Sequence, residues 1–132
     1  MSSQFIFTLN LDLSLIPDEN VANYLSNVVD SLKSVLRDGD LRDTVEKFEL
    51  EKLIEVFLIR AGYLIMSFSL DDFIEMVRCY TRIEELLYKL AINRETVRRT
   101  RNVLKNVIDV VLKKYAKEYM IYTITKMTEI HY

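Results

Sequence analysis

Four basic side chains in the C-terminal half of the sequence recur at the spacing of a single helix face. They are Arg94, Arg98, Arg101 and Lys105, at i, i+4, i+7 and i+11. On a helix they form one stripe about 15 Å long, at about 1.5 Å per residue. Such a stripe can lie along a phosphate backbone or in the major groove of DNA, or it can meet an acidic protein surface. Alternatively, the stripe is a solvated helix face that binds no partner. Its charges would then interact only with acidic helices of the same fold.

Charge is segregated along the chain, although the formal net charge is only −2. Residues 94–117 carry eight basic and two acidic side chains, whereas the first 93 residues carry nine basic and sixteen acidic ones. This asymmetry is the one positive functional signal in the sequence. Arg94, Arg98, Arg101 and Lys105 are therefore the candidate residues for binding a partner or a nucleic acid.

Residues that could support catalysis or hold a cofactor are scarce. Gly39 and Gly62 are the only glycines, so the sequence contains no Gly-rich phosphate loop. The single cysteine, Cys79, lacks a neighbouring histidine base in the sequence, because the single histidine is His131. Acidic residues are plentiful, but no Glu has a His three positions later, which is the pattern of a di-metal bundle. The sequence predicts a non-enzymatic protein with no cofactor and no metal site.

The elements that must position the basic stripe are predicted to be mainly helical. Two glycines and one proline in 132 residues argue against a turn-rich β fold. Apolar residues at three-four spacing predict four helices. The first helix is predicted to begin at Pro17 and to end at Gly39. The predicted N-terminal caps of the other three helices are Asp40 or Asp43 for the second, Ser69 for the third and Asn93 for the fourth.

Both ends of the sequence depart from this pattern. Residues 5–15 place Phe or Leu at every second position, which predicts a strand with one buried face. Residues 120–130 are rich in β-branched and aromatic side chains, and form either a closing strand or the end of a long helix. The predicted fold is mainly α: a four-helix bundle-like single domain over residues 1–132, with an N-terminal β-strand segment (1–15), a helical core (17–118) and a tail or C-terminal strand (119–132).

No segment of the sequence predicts export or membrane insertion. The sequence begins Met1-Ser2-Ser3-Gln4, without the basic region of a signal peptide. The longest charge-poor apolar stretch, residues 61–70, is about half as long as a membrane span requires. We therefore expect an intracellular protein that does not act at a membrane.

The overall composition carries a resemblance. One glutamine (Gln4), no tryptophan, few glycines and heavy use of Ile, Leu, Val, Tyr, Lys and Glu resemble the small, mainly helical proteins of crenarchaeal viruses, which infect thermophiles. Within that group the sequence is similar to a virion protein of two-tailed viruses and to its paralogue that inhibits host RNA polymerase. The resemblance implies a non-catalytic protein of the virion or of transcription regulation, with a virion component or host RNA polymerase as its partner.

The predicted function is that of a non-enzymatic protein-binding module. It would be a viral structural or host-regulating protein, in the host cytoplasm or the virion, that recognises a surface through the fourth helix and exposed tyrosines. The alternative is a nucleic-acid-binding protein that uses Arg94, Arg98, Arg101 and Lys105. An apolar second helix and a lone N-terminal strand favour a homodimer, so a second copy is a further candidate partner.

Overall fold

The chain folds into four long helices because residues that break helices are almost absent from it. The computed structural model describes residues 7–38 and 41–130. Its helices are α1 (Glu19–Asp38), α2 (Glu46–Met66), α3 (Leu70–Leu90) and α4 (Arg94–Ile130), and a 3-10 turn at Leu13–Leu15 precedes them. The predicted mainly helical, bundle-like architecture is confirmed.

Short polar side chains cap three of the four helices. Asp18 Oδ1 accepts hydrogen bonds from the backbone N–H groups at the start of α1, Ser69 accepts one at the start of α3, and Asn93 accepts one at the start of α4. The prediction of Asp43 as the cap of α2 is wrong, because that helix starts after Val45 without a side-chain cap. Asp40 and Gly39 lie outside the described residues.

The core lies between the apolar faces of all four helices. α2 and α3 form an antiparallel pair with the most extensive contact in the fold, and α4 packs against α1, α2 and α3. The apolar face predicted for α1 is buried throughout, at Val21, Leu25, Val28, Val29, Leu32 and Leu36. On α2, Gly62 allows a close approach, since a Cβ at this position would lie 2.8 Å from Leu25 Cδ1 and 2.9 Å from Ile16 Cδ1.

The predicted N-terminal strand is wrong for the residues that the structure describes. Residues 7–12 are irregular and lead into the 3-10 turn. Leu9 and Ile16 reach the core, while Thr8 donates from its backbone N and its Oγ1 to the Glu51 carboxylate at 3.0 and 3.2 Å. Helices satisfy their own backbone groups and offer none to a neighbouring strand, so an α2 side chain binds this segment instead. Residues 1–6 lie outside the described residues.

The predicted C-terminal strand is also wrong as far as residue 130, because α4 continues as one helix of 37 residues to Ile130. Neither glycine nor proline follows Gly62 in the sequence. Once a helix has nucleated, each added residue costs little, so β-branched side chains alone do not end it. The end of a long helix was the other alternative left open by the sequence, and it is the one that the structure shows.

Candidate interaction surface on α4

The first half of α4 is anchored firmly in the fold. Asn93 Oδ1 accepts hydrogen bonds from the backbone N and the Oγ1 of Thr96, at 3.0 and 3.1 Å. Thr100 is buried, but its hydroxyl donates to the Thr96 carbonyl at 2.8 Å, so it carries no unmet polar group. The buried apolar residues of this half are Val97, Leu104, Val107 and Val111. They hold the opposite side of the helix toward solvent.

Arg101, one of the four candidate residues, takes part in the contact between α3 and α4. Its Nε lies 3.0 Å from Glu84 Oε2 as an ion pair, and its Nη1 donates to the Tyr88 hydroxyl at 3.1 Å. The guanidinium also lies 6.0 Å from the centre of the Tyr88 ring, within the range of a cation–π contact. Arg101 is half-buried, and its charge is largely used within the fold.

The other three candidates are exposed on α4. Arg98 pairs with Glu95 in the same helical turn. Among the described residues, no acidic side chain lies within 4 Å of Arg94 or Lys105. The structure therefore keeps Arg94, Arg98 and Lys105 on one solvent-facing side of the helix and turns Arg101 toward α3.

The acidic residues of α2 and α3 pair mainly within those two helices. Asp72 binds Arg60 at 2.7 Å, Glu49 binds Arg82 at 2.9 Å and Glu46 binds Lys89 at 2.9 Å. Between the described parts of α3 and α4, the only ion pair is that of Arg101 with Glu84. Attraction between the acidic helices and a basic α4 thus accounts for Arg101 alone. Arg98 pairs within α4, and the charges of Arg94 and Lys105 stay available to solvent.

The second half of α4 extends beyond the end of the bundle. Tyr115 stacks on Phe68, which precedes the first residue of α3, with ring centroids 4.2 Å apart. No residue after Val111 is buried among those whose burial the structure describes. The sixteen residues from Tyr115 to Ile130 span about 22 Å at about 1.5 Å per residue. This half of the helix is held at its base and exposed along its length.

Large apolar side chains lie along this projecting half. Met120, Ile121, Ile124 and Met127 are 62%, 58%, 60% and 55% exposed. Met120, Ile124 and Met127 follow i, i+4 and i+7, so they share one face, which we name the distal stripe. At about 100° per residue this face lies roughly 180° around the axis from the core residues Leu104, Val107 and Val111. The distal stripe therefore continues the solvent-facing side of α4 and not its core side.

Sequence reasoning missed the distal stripe, although its spacing was present in the sequence. The sequence predicts either a closing strand or the end of a long helix for residues 120–130. Neither alternative states which of these side chains share one face of a helix. Tyr88 and Tyr115 are 59% and 39% exposed, and the role of exposed tyrosines in recognition stays a prediction. The side chains of Tyr119, Tyr122 and Tyr132 lie outside the described part of the structure.

The structure supplies no geometry that would activate Cys79. The thiol is buried, and burial, followed by the neighbouring Glu75, raises its pKa, whereas a nucleophilic cysteine needs a lowered one. His131 lies outside the described residues. Within the described residues, no cluster of three or more His, Cys, Asp or Glu side chains is arranged to hold a metal ion. None of the helices, over those same residues, is long and apolar enough to cross a membrane.

Comparisons with models of known protein families, with curated proteins and with solved structures give no match to this chain. The resemblance to crenarchaeal viral proteins consequently stays a prediction that rests on composition.

Proposed function

We propose that this protein is a non-enzymatic protein-binding module whose projecting half of α4 docks on its partner. The observation that carries this proposal is the distal stripe of Met120, Ile124 and Met127, which lies in solvent on a helix whose core contacts end at Val111. Exposed apolar side chains that share one face are typical of interaction sites. An amphipathic helix that places residues i, i+4 and i+7 in a groove is a common mode of recognition.

The resemblance to crenarchaeal viral proteins adds a role to this proposal: a component of the virion or a regulator of host RNA polymerase. Such a protein acts by occupying a surface, which requires no catalytic group. An exposed helix with apolar anchors and basic flanks suits that task, because apolar anchors supply most of the binding energy and charged rims tune the rate and specificity of association.

The proposal is tested by affinity capture with two matched variants of the full chain. Ile124→Glu places a charge on the distal stripe, whereas Thr125→Glu places the same charge on the next residue, which lies about 100° away around the helix and is also exposed. We expect wild type and Thr125→Glu to retain the same partner and Ile124→Glu to lose it. Circular dichroism checks that both variants remain helical. Identical captured proteins for all three baits would contradict the proposal.

Nucleic-acid binding is a second candidate function, and a specific observation favours it. Five basic side chains of α4 are exposed and have no acidic side chain within 4 Å among the described residues: Arg94, Arg99, Lys105, Lys113 and Lys117. Such a surface could follow a phosphate backbone, with an affinity that falls steeply as salt rises.

Fluorescence anisotropy with labelled double-stranded DNA, at about 50 and 200 mM salt, tests this second function. Arg94→Ala/Lys105→Ala is the informative variant, because both residues are exposed and neither has an acidic side chain within 4 Å among the described residues. If both side chains contact phosphates, the double variant should reduce the slope of log affinity against log salt by about 2. Absence of binding by the wild type at the lower salt would exclude this function.

A further inference from the structure

The described part of the bundle from which the distal stripe projects does not cover it. Tyr115 already stacks on Phe68, just before the start of α3, and Met127 lies twelve residues further along the helix, about 18 Å away. The stripe also faces away from the core side of α4. The stripe is therefore available to a surface on another molecule, and the charges of the segment indicate which kind of molecule would fit it.

The segment that carries the stripe is almost uncharged. Residues 119–130 contain one basic and one acidic side chain, Lys126 and Glu129, whereas the other eight basic residues of α4 lie between Arg94 and Lys117. A strongly charged partner would gain little from this part of the helix. A second copy of the same segment brings equally apolar side chains and no net charge.

The relative orientation of two paired α4 helices follows from the positions of the lysines that precede the distal stripe. In a parallel pair, Lys113 and Lys117, which at about 100° per residue lie on the same side of α4 as the distal stripe, would each lie level with its own counterpart, and like charges would repel. In an antiparallel pair that crosses at Ile124, these lysines lie at opposite ends, about 27 Å apart at residue 115, far beyond the Debye length of about 8 Å. The helix macrodipoles are also aligned favourably in the antiparallel pair.

We propose that a second copy of this chain docks antiparallel on the distal stripe, with the two helices crossing near Ile124. This inference rests on the proposed function and names the partner of the same site. A stable interface buries about 800 Å² on each partner, and two to three turns of a single helix provide less than that. The dimer is therefore weak and reversible, and its population depends on the protein concentration.

Sedimentation velocity of the full chain, from about 5 µM to about 1 mM, tests the pairing. We expect wild type and Thr125→Glu to pass from monomer to dimer across this range. Ile124→Glu should remain monomeric throughout, because the substitution places two carboxylates at the crossing point. A wild type that stays monomeric at every concentration would overturn the inference, and so would dimers of equal affinity for all three proteins.

Oxidative cross-linking tests the orientation independently. The only native cysteine, Cys79, is buried, so an introduced cysteine provides the accessible thiol. Ile124→Cys should form a disulfide-linked dimer, because its two copies meet at the crossing point. Met120→Cys should not, because its two copies are separated by about 12 Å along the axis, beyond the reach of a disulfide. Equal cross-linking of both variants would indicate a parallel pair and overturn the antiparallel arrangement.

These measurements separate the failure of the inference from that of the proposed function. A wild type that stays monomeric, yet captures another protein that Ile124→Glu fails to capture, overturns the second copy as the partner and leaves the docking helix supported. A wild type that stays monomeric and captures no protein through this face overturns both. If the wild type dimerises and Ile124→Glu does not, the result supports both the second copy as the partner and the proposed docking function.

Discussion

Arg101 differs from the other residues of the basic stripe because its contacts lie within the fold. Its ion pair with Glu84 and its hydrogen bond to Tyr88 join α4 to α3. We expect Arg101→Ala to lower the free energy of unfolding by about 1 kcal/mol, the upper end for a partly exposed ion pair. Lys105→Ala, at an exposed position, should change it by less than about 0.5 kcal/mol. Urea denaturation measures both, and equal effects would contradict this division of the stripe.

The pair of Glu46 and Lys89 makes a second prediction at the scale of single residues. The hydrogen bond from Lys89 Nζ, aided by Thr44, holds the pKa of Glu46 at about 2, below its ordinary value of 4.5. A lowered carboxyl pKa favours the folded state above the ordinary pKa, and this contribution is lost as the pH falls from about 4.5 toward about 2.

Lys89→Ala should therefore be less stable than wild type near neutral pH, and the difference should shrink to nothing as the pH approaches 2. Thermal unfolding of both proteins between pH 2 and 7 measures this difference. Lys113→Ala serves as the control, because among the described residues that lysine has no acidic side chain within 4 Å, and its effect should not vary over the same range. A pH-independent difference for Lys89→Ala would contradict the linkage.

At the scale of elements, Gly62 determines how closely α1 and α2 approach. Gly62→Ala would gain up to about 1 kcal/mol in helix propensity, but its Cβ would meet Leu25 and Ile16 at less than 3 Å. Both neighbours are buried, and overpacking of a core costs about 1–3 kcal/mol. We expect a net loss of about 1 kcal/mol, measured by urea denaturation.

A double-mutant cycle identifies the cause of that loss. Ile16→Val removes the Cδ1 atom that the new Cβ would meet, so it should recover part of the stability lost in Gly62→Ala. In the wild-type background the same substitution should cost about 1 kcal/mol. Strictly additive effects of the two substitutions would show that contact with Ile16, in the segment before α1, does not cause the loss in Gly62→Ala.

The limits of prediction from sequence are also clearest at this scale. The three-four spacing of α1 identified six of the seven buried residues that the structure describes in this helix, all but Val35, because that helix packs along its whole length. In α2, Val45 and Phe48 continue an apolar three-four series back to the start of the helix, yet they are 79% and 64% exposed. At about 100° per residue they lie roughly opposite the buried Leu50. Periodicity shows which residues share a face, but not whether another element covers that face.

For the N-terminal segment and for α4 too, the sequence pattern does not show which other element lies beside a residue. Alternation correctly places Leu9 in contact with the core, but a strand needs a second strand, and the described residues provide none. The basic residues of α4 were visible as a set, but the separation of Arg101 from Arg94 and Lys105 depends on where Glu84 lies. The exposure of the distal stripe depends on where α3 begins, which no pattern within α4 reveals.

At the scale of the whole molecule, the chain is a four-helix bundle from which the end of α4 projects. We call residues 117–130 of this helix the arm. The arm carries apolar side chains on its outer side and adds nothing to the core that the structure describes. Removal of residues 117–132 should therefore leave cooperative unfolding intact and change the free energy of unfolding by no more than about 1 kcal/mol. A larger loss would show that residues after Ala116 stabilise the bundle.

Small-angle scattering tests the projection itself. A compact chain of 132 residues has a radius of gyration of about 14 Å. The arm places about an eighth of the mass far from the centre, so we expect monomeric Ile124→Glu to exceed that value by one to two ångströms. The chain truncated after Ala116 should return to the compact value for its length, about 13 Å. A compact radius for the full-length monomer would mean that the helix folds back, and the distal stripe would then have a partner in its own chain.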